Sequence, residues 1–113
     1  RLRGNLLERT GASVGLIIND SHGRAWRNGT VGVAIGASHV PALLDLRGRP
    51  DLFGRALRIT QVGFADELAA AASLLMGQAD EGVPVVLVRG APYVGSAGRA
   101  AELIREKGLD LFR

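Results

Sequence analysis

The residues of this chain best suited to chemistry lie between Asn19 and Gly29, in the run NDSHGRAWRNG. Val14, Leu16, Ile17 and Ile18 form an aliphatic lead-in, and Asn19, Asp20, Ser21 and His22 follow directly. A buried strand that ends in a carboxylate and a hydroxyl offers hard oxygen ligands, the type magnesium and manganese prefer. Open sheets commonly bind ligands at such strand ends. Past Gly23, Arg24 and Arg27 add forked donors matched to carboxylate or phosphate oxygens. These residue types suit a metal ion on Asp20 and Ser21 beside an anionic substrate that Arg24 and Arg27 neutralise. The same residues also make an ordinary turn, in which Asp and Ser bond their own backbone.

Other chemistries are poorly served. The chain has no cysteine, which removes disulfides, thiolate zinc sites and cysteine nucleophiles together. His22 and His39 show no metal-ligand spacing, so a zinc site is not expected. No G-x-x-x-x-G-K-[ST] occurs, no G-x-G-x-x-G follows a strand, and no G-x-S-x-G elbow is present. The 14 Lys+Arg exceed the 11 Asp+Glu by only three, the basic residues are dispersed, and aromatic residues make up 4%. That balance favours small anionic ligands over nucleic acid. No apolar run approaches the roughly 20 residues that span a bilayer. With no signal-peptide pattern either, a cytoplasmic protein without membrane association is the expectation.

The elements that must position the Asn19–Gly29 run read as an α+β domain, a mixed sheet with a few short helices. Its 113 residues are enough for one domain with a modest core. Leu2, Leu6 and Leu7 predict a helix over 2–9 with Gly11 as its stop. Residues 13–19 predict a first, central strand, apolar on both faces. Residues 30–37 (TVGVAIGA) predict a strand whose glycines imply a bulge or the close approach of another backbone. Residues 43–46 and 56–62 predict two strands joined by a basic arm carrying Arg47, Arg49 and Arg55. Residues 66–76 predict the clearest helix, capped by Asp66 and ended by Gly77. Residues 83–88 (VPVVLV) predict a second central strand, and a short helix is expected near 99–106. The chain opens on Arg inside a helical pattern, which suggests the later part of a longer protein.

Four blocks in order carry a resemblance: NDSHGRAWRNGTVGVAIG, LLDLRGRPDLFGRALRIT, ADELAAAASLLMGQADEGVPVVLVRG and the closing LDLFR. Together they resemble the coenzyme F420:L-glutamate ligases, the gamma-glutamyl ligases of deazaflavin biosynthesis, over almost the whole chain. The resemblance implies the C-terminal half of a larger two-part ligase fold. It implies a GTP-dependent enzyme that activates the terminal carboxylate of a deazaflavin precursor as an acyl phosphate. The amine of L-glutamate then attacks, and a second glutamate follows through a gamma linkage. Manganese or magnesium is the implied cofactor, with Asp20 and Ser21 at the family's metal-ligand positions. The loop from Met76 through Gly77, Gln78, Ala79, Asp80, Glu81 and Gly82 to Val83 falls where the family contacts the nucleotide. Gln78 stands at a further metal-ligand position. An intertwined homodimer and an N-terminal half of the same protein are the implied partners, and the isolated piece is expected to be inactive. The alternative is a non-catalytic domain of the same fold that binds a nucleotide or deazaflavin.

Overall fold

A long antiparallel hairpin dominates the computed structural model, which describes residues 1–92 and 97–110. Its strands are β1 (Leu16–Arg24) and β2 (Arg27–Ser38), paired from Leu16 opposite Ser38 to Arg24 opposite Arg27. The first strand therefore does not stop at Asn19, as the polar residues suggested. Nine of the twelve residues of β2 supply ladder partners for the whole of β1, and the chain reverses only at Ala25 and Trp26. Asp20 and Ser21 consequently lie within a strand rather than at its end. Nor is β1 central among the described residues, where it pairs with β2 alone.

The register of the hairpin slips between Ile18 and Asn19, because Ile18 faces Gly36 while Asn19 faces Ala34. Ile35 is the extra residue, so this is a β-bulge of the kind that the glycine-rich strand implied. Near the bulge the Ala34 N–H donates to the Asp66 carboxylate at 2.9 Å. Asp66 belongs to helix α2 (Phe64–Met76), which starts after Gly63 without a side-chain capping bond. The sequence suggested that Asp66 caps its own helix. Instead it sits within the first turn and satisfies a strand amide. Losing such a half-buried acceptor costs about 1–3 kcal/mol. Asp66→Ala should lower the urea-unfolding free energy by that amount, and Asp66→Asn should recover most of it. An Asp66→Ala midpoint equal to wild type would show that the contact contributes nothing.

Helix α2 lies against the hairpin on small residues. Ala34, Ala42, Ala65 and Ala69 form the buried cluster, with Ile17 and Leu103 packed against it. Gly32 is where strand and helix come closest. A Cβ there would sit 2.6 Å from the Ala69 carbonyl oxygen and 2.7 Å from Ser73 Cβ. Close backbone approach and bulge, both offered by the glycines, are thus both present.

The remaining elements support this unit. Helix α1 (Leu2–Thr10) ends at Gly11 in the left-handed conformation, as expected, and buries no residue. Strands β3 (Leu44–Asp45) and β4 (Gln61–Val62) form a short antiparallel pair. The basic arm between them is tied by a Pro50–Ala56 bridge and by Asp51, whose carboxylate accepts the Phe53 and Arg55 amides at 2.8 Å. Arg47 is engaged by Asp45, whose carboxyl it holds down at about 2 through side-chain and backbone hydrogen bonds.

The apolar run at 83–88 forms no strand, contrary to expectation. An apolar run specifies burial, not pairing, and among the described residues it finds no neighbouring strand; Val85 and Leu87 are exposed. The helix expected near 99–106 is two 3₁₀ turns, Ala100–Leu103 and Lys107–Leu109, the first tied by the Arg99 amide to Glu102 Oε1 at 2.9 Å. Residues 93–96, and 111–113 of the closing LDLFR, lie outside the described residues. Among those described, no helix is long and apolar enough to cross a membrane.

Candidate functional site

Asn19 is the residue that assembles the site. From β1 its Nδ2 donates to the Ala69 carbonyl at 3.1 Å and to Met76 Sδ at 3.4 Å. One side chain thereby stitches β1 to both the middle and the end of α2. The next two residues, Asp20 and Ser21, are brought beside the point where α2 ends. There they meet Ser73, Met76, Gly77 and Gln78 around an open cleft of about 170 Å³. Among the described residues, Asp20 carries the only charged side chain in that lining. It is exposed, and one carboxylate oxygen accepts the Ser21 amide at 2.8 Å. The backbone bond foreseen in the turn reading is therefore made, yet Asp20 still faces a cavity.

The far wall is built by the way α2 stops. Gly77 has φ 73°, a left-handed value that glycine adopts without strain, and its N–H returns to the Ser73 carbonyl at 3.1 Å. Gln78 Nε2 donates to Ser73 Oγ at 3.3 Å, which ties the amide to the helix end. Glu81 folds back over Gly77, filling the space that a Cβ there would need. Its Oε2 accepts the Ala79 amide at 2.8 Å. That amide first, then those of Glu81 and Gln78, hold the carboxyl below the usual carboxylate range. Glu81 thus serves the loop itself. Met76, Gly77 and Gln78 line the cleft, whereas Ala79, Asp80, Glu81, Gly82 and Val83 continue the loop without lining it.

Arg24 and Arg27 are not in the cleft. They face each other across the tip of the hairpin, and Arg24 Nη2 donates to the Asn28 carbonyl at 3.2 Å. Between them stands Trp26, 85% exposed and with φ 57°. Sequence reasoning placed Asp20, Ser21 and Gln78 together and missed Asn19 and Ser73. The signal for both was Gly32, since its close approach brings the Ser73 turn of α2 onto Asn19.

The donors in the cleft can be tested against a hard cation. Asp20, Ser21 and Gln78 offer a carboxylate, a hydroxyl and an amide, the oxygen chemistry of magnesium or manganese sites. Asn19 Oδ1, buried in the same wall, has no hydrogen-bond partner. No group of three or more His, Cys, Asp or Glu occurs among the described residues. The set fits part of a coordination shell for an oxygen-loving ion and does not fit a zinc site.

Comparisons with known proteins bear on the same stretch. The family model for F420-0:gamma-glutamyl ligase matches residues 1–90. The coenzyme F420:L-glutamate ligase of Methanococcus maripaludis strain C6 is 55% identical over 112 residues, 99% of this chain and 45% of the relative. The ligase of the same name from Methanocaldococcus jannaschii is 50% identical over 113 residues, all of this chain and 45% of the relative. That of Archaeoglobus fulgidus is 48% identical over the same span and share. The chain thus spans a little under half the length of these relatives. With four-fifths of its residues inside the family model and half of them identical to such ligases, it belongs to the F420-0:gamma-glutamyl ligase family.

Proposed function

We propose that this chain forms the cation- and nucleotide-holding part of a GTP-dependent ligase. In this reading the enzyme joins L-glutamate to the deazaflavin coenzyme F420-0, as the family's name describes, and then extends it by a gamma linkage. The observation that carries the reading is the cleft in which Asp20, Ser21 and Gln78 meet although they come from opposite parts of the chain. Asp20, Ser21 and Gln78 would hold manganese or magnesium, with Asn19 fixing their spacing through α2. The bound ion would supply charge neutralisation for nucleotide phosphates, which is most of what phosphoryl transfer asks of a protein. The loop from Met76 to Val83 would contact the nucleotide. The rest of a full-length ligase would supply further contacts, so the 113-residue chain alone is proposed to be inactive. A homodimer is part of the same proposal.

Titration calorimetry of the full-length ligase with manganese and GTP, followed by a glutamate-transfer assay, tests this reading. Metal-dependent GTP binding together with transfer supports it. Binding without transfer would instead assign a non-catalytic domain of this fold, and no metal-dependent binding would remove the cleft from the function.

A further inference from the structure

Gln78 reaches the cleft with a side chain that has two unlike ends. A hard cation binds the carbonyl oxygen of an amide and is repelled by its NH2, which offers only donors. A carboxylate presents oxygen at both ends, so only an amide needs orienting. What Gln78 can do therefore depends on what holds its nitrogen, and in this fold that is Ser73. Gln78 Nε2 donates to Ser73 Oγ at 3.3 Å. The contact is a product of the way α2 stops. On a continuing helix, positions five apart point about 140° away from each other. Gly77, with its φ of 73°, ends α2 and lets Gln78 fold back along the last turn.

We infer that Ser73 is a positioning residue for the proposed cation: by engaging the Gln78 nitrogen it leaves Oε1 as the end of the amide available to the ion. The inference rests on the cation reading of the preceding subsection. Holding the loop is the competing role for this bond, and other contacts already fill it. The Gly77 N–H returns to the Ser73 carbonyl at 3.1 Å, and Glu81 Oε2 accepts the Ala79 amide at 2.8 Å. The second amide in the cleft lining is treated alike. Asn19 Nδ2 donates to the Ala69 carbonyl and to Met76 Sδ, while Oδ1 has no hydrogen-bond partner. In both cases α2 takes the nitrogen and spares the oxygen. The Ser73 hydroxyl can be removed without unseating the helix, because the Ser73 atom facing Gly32 is Cβ, which alanine retains.

The test uses the full-length ligase and manganese alone, read by titration calorimetry. Ser73→Ala should weaken manganese binding about fivefold, the loss of one ordinary hydrogen bond. Its melting temperature should stay within about 2 °C of wild type. Gln78→Glu should bind manganese at least as tightly as wild type, since a carboxylate is the stronger ligand for a hard cation. A weaker affinity would place Gln78 away from the ion and overturn the inference. In the Gln78→Glu background, Ser73→Ala should change the affinity by less than about twofold, because either carboxylate oxygen can serve. A residue that only seats the helix would weaken binding equally in both backgrounds, and that result would also overturn the inference. Ser73→Ala without effect, beside a Gln78→Ala that weakens binding, would end this inference alone. A wild-type ligase that binds no manganese would instead end the function reading on which it rests.

Discussion

Asp20→Asn is expected to cut glutamate transfer by the full-length ligase about a thousandfold, ~4 kcal/mol of transition-state stabilisation. The size follows from Asp20 being, among the described residues, the only charged side chain lining the cleft. The divalent cation proposed for this cleft would need that charge, and an amide oxygen would replace only its geometry. The fold should barely notice. Asp20 is exposed, its carboxylate accepts the Ser21 amide, and an asparagine oxygen can accept the same bond. The melting temperature should therefore stay within about 2 °C, as surface substitutions do. Manganese affinity by calorimetry should fall together with the rate. A variant that keeps transfer within threefold, with undiminished manganese binding, would take Asp20 out of the metal site.

Gly32→Ala should be among the most damaging single methyl additions to the described residues. The added carbon would lie 2.6 Å from a backbone oxygen of α2, 2.7 Å from Ser73 Cβ and 2.8 Å from Asn19 Oδ1. None of these is the tip of a long flexible side chain that can swing aside. Helix and hairpin must separate, at about 2–3 kcal/mol for overpacking of this kind. Because Asn19 and Ser73 stand at that contact, separation also widens the cleft, so transfer should fall even in the fraction that remains folded. Urea unfolding and single-turnover kinetics measure the two effects. A loss of stability below about 0.5 kcal/mol would mean that α2 is not seated on Gly32.

Much of this was legible in the residues, and the failures have physical causes. The alternating glycines of TVGVAIGA announced both a bulge and a close backbone approach, and Gly32 and Ile35 supply one of each. Gly11 and Gly77 marked the ends of their helices because few other residues tolerate the left-handed turn there. Asp20, Ser21 and Gln78 came to the same cleft on the strength of the family resemblance, since no local pattern links residues so distant in sequence. The strand end was misjudged because polarity was taken for a stop signal. Pairing is decided by the partner strand, and β2 is long enough to carry β1 past Asp20. Asp66 was assigned to its own helix because capping is a local rule, whereas the donor it found belongs to Ala34, exposed by a bulge that only the tertiary fold creates. The run at 83–88 shows the same limit in reverse, with strand-forming residues that have no strand beside them among the described residues.

That run has a consequence for the newly made chain. Val83, Val85, Val86, Leu87 and Val88 stand without a single charge, with Val85 79% and Leu87 66% exposed. Such a composition favours the stacking of identical segments into fibrils. Pro84 interrupts it. Lacking an N–H, it forfeits a ladder bond each time another copy is added, and so acts as a gatekeeper against self-templating aggregation.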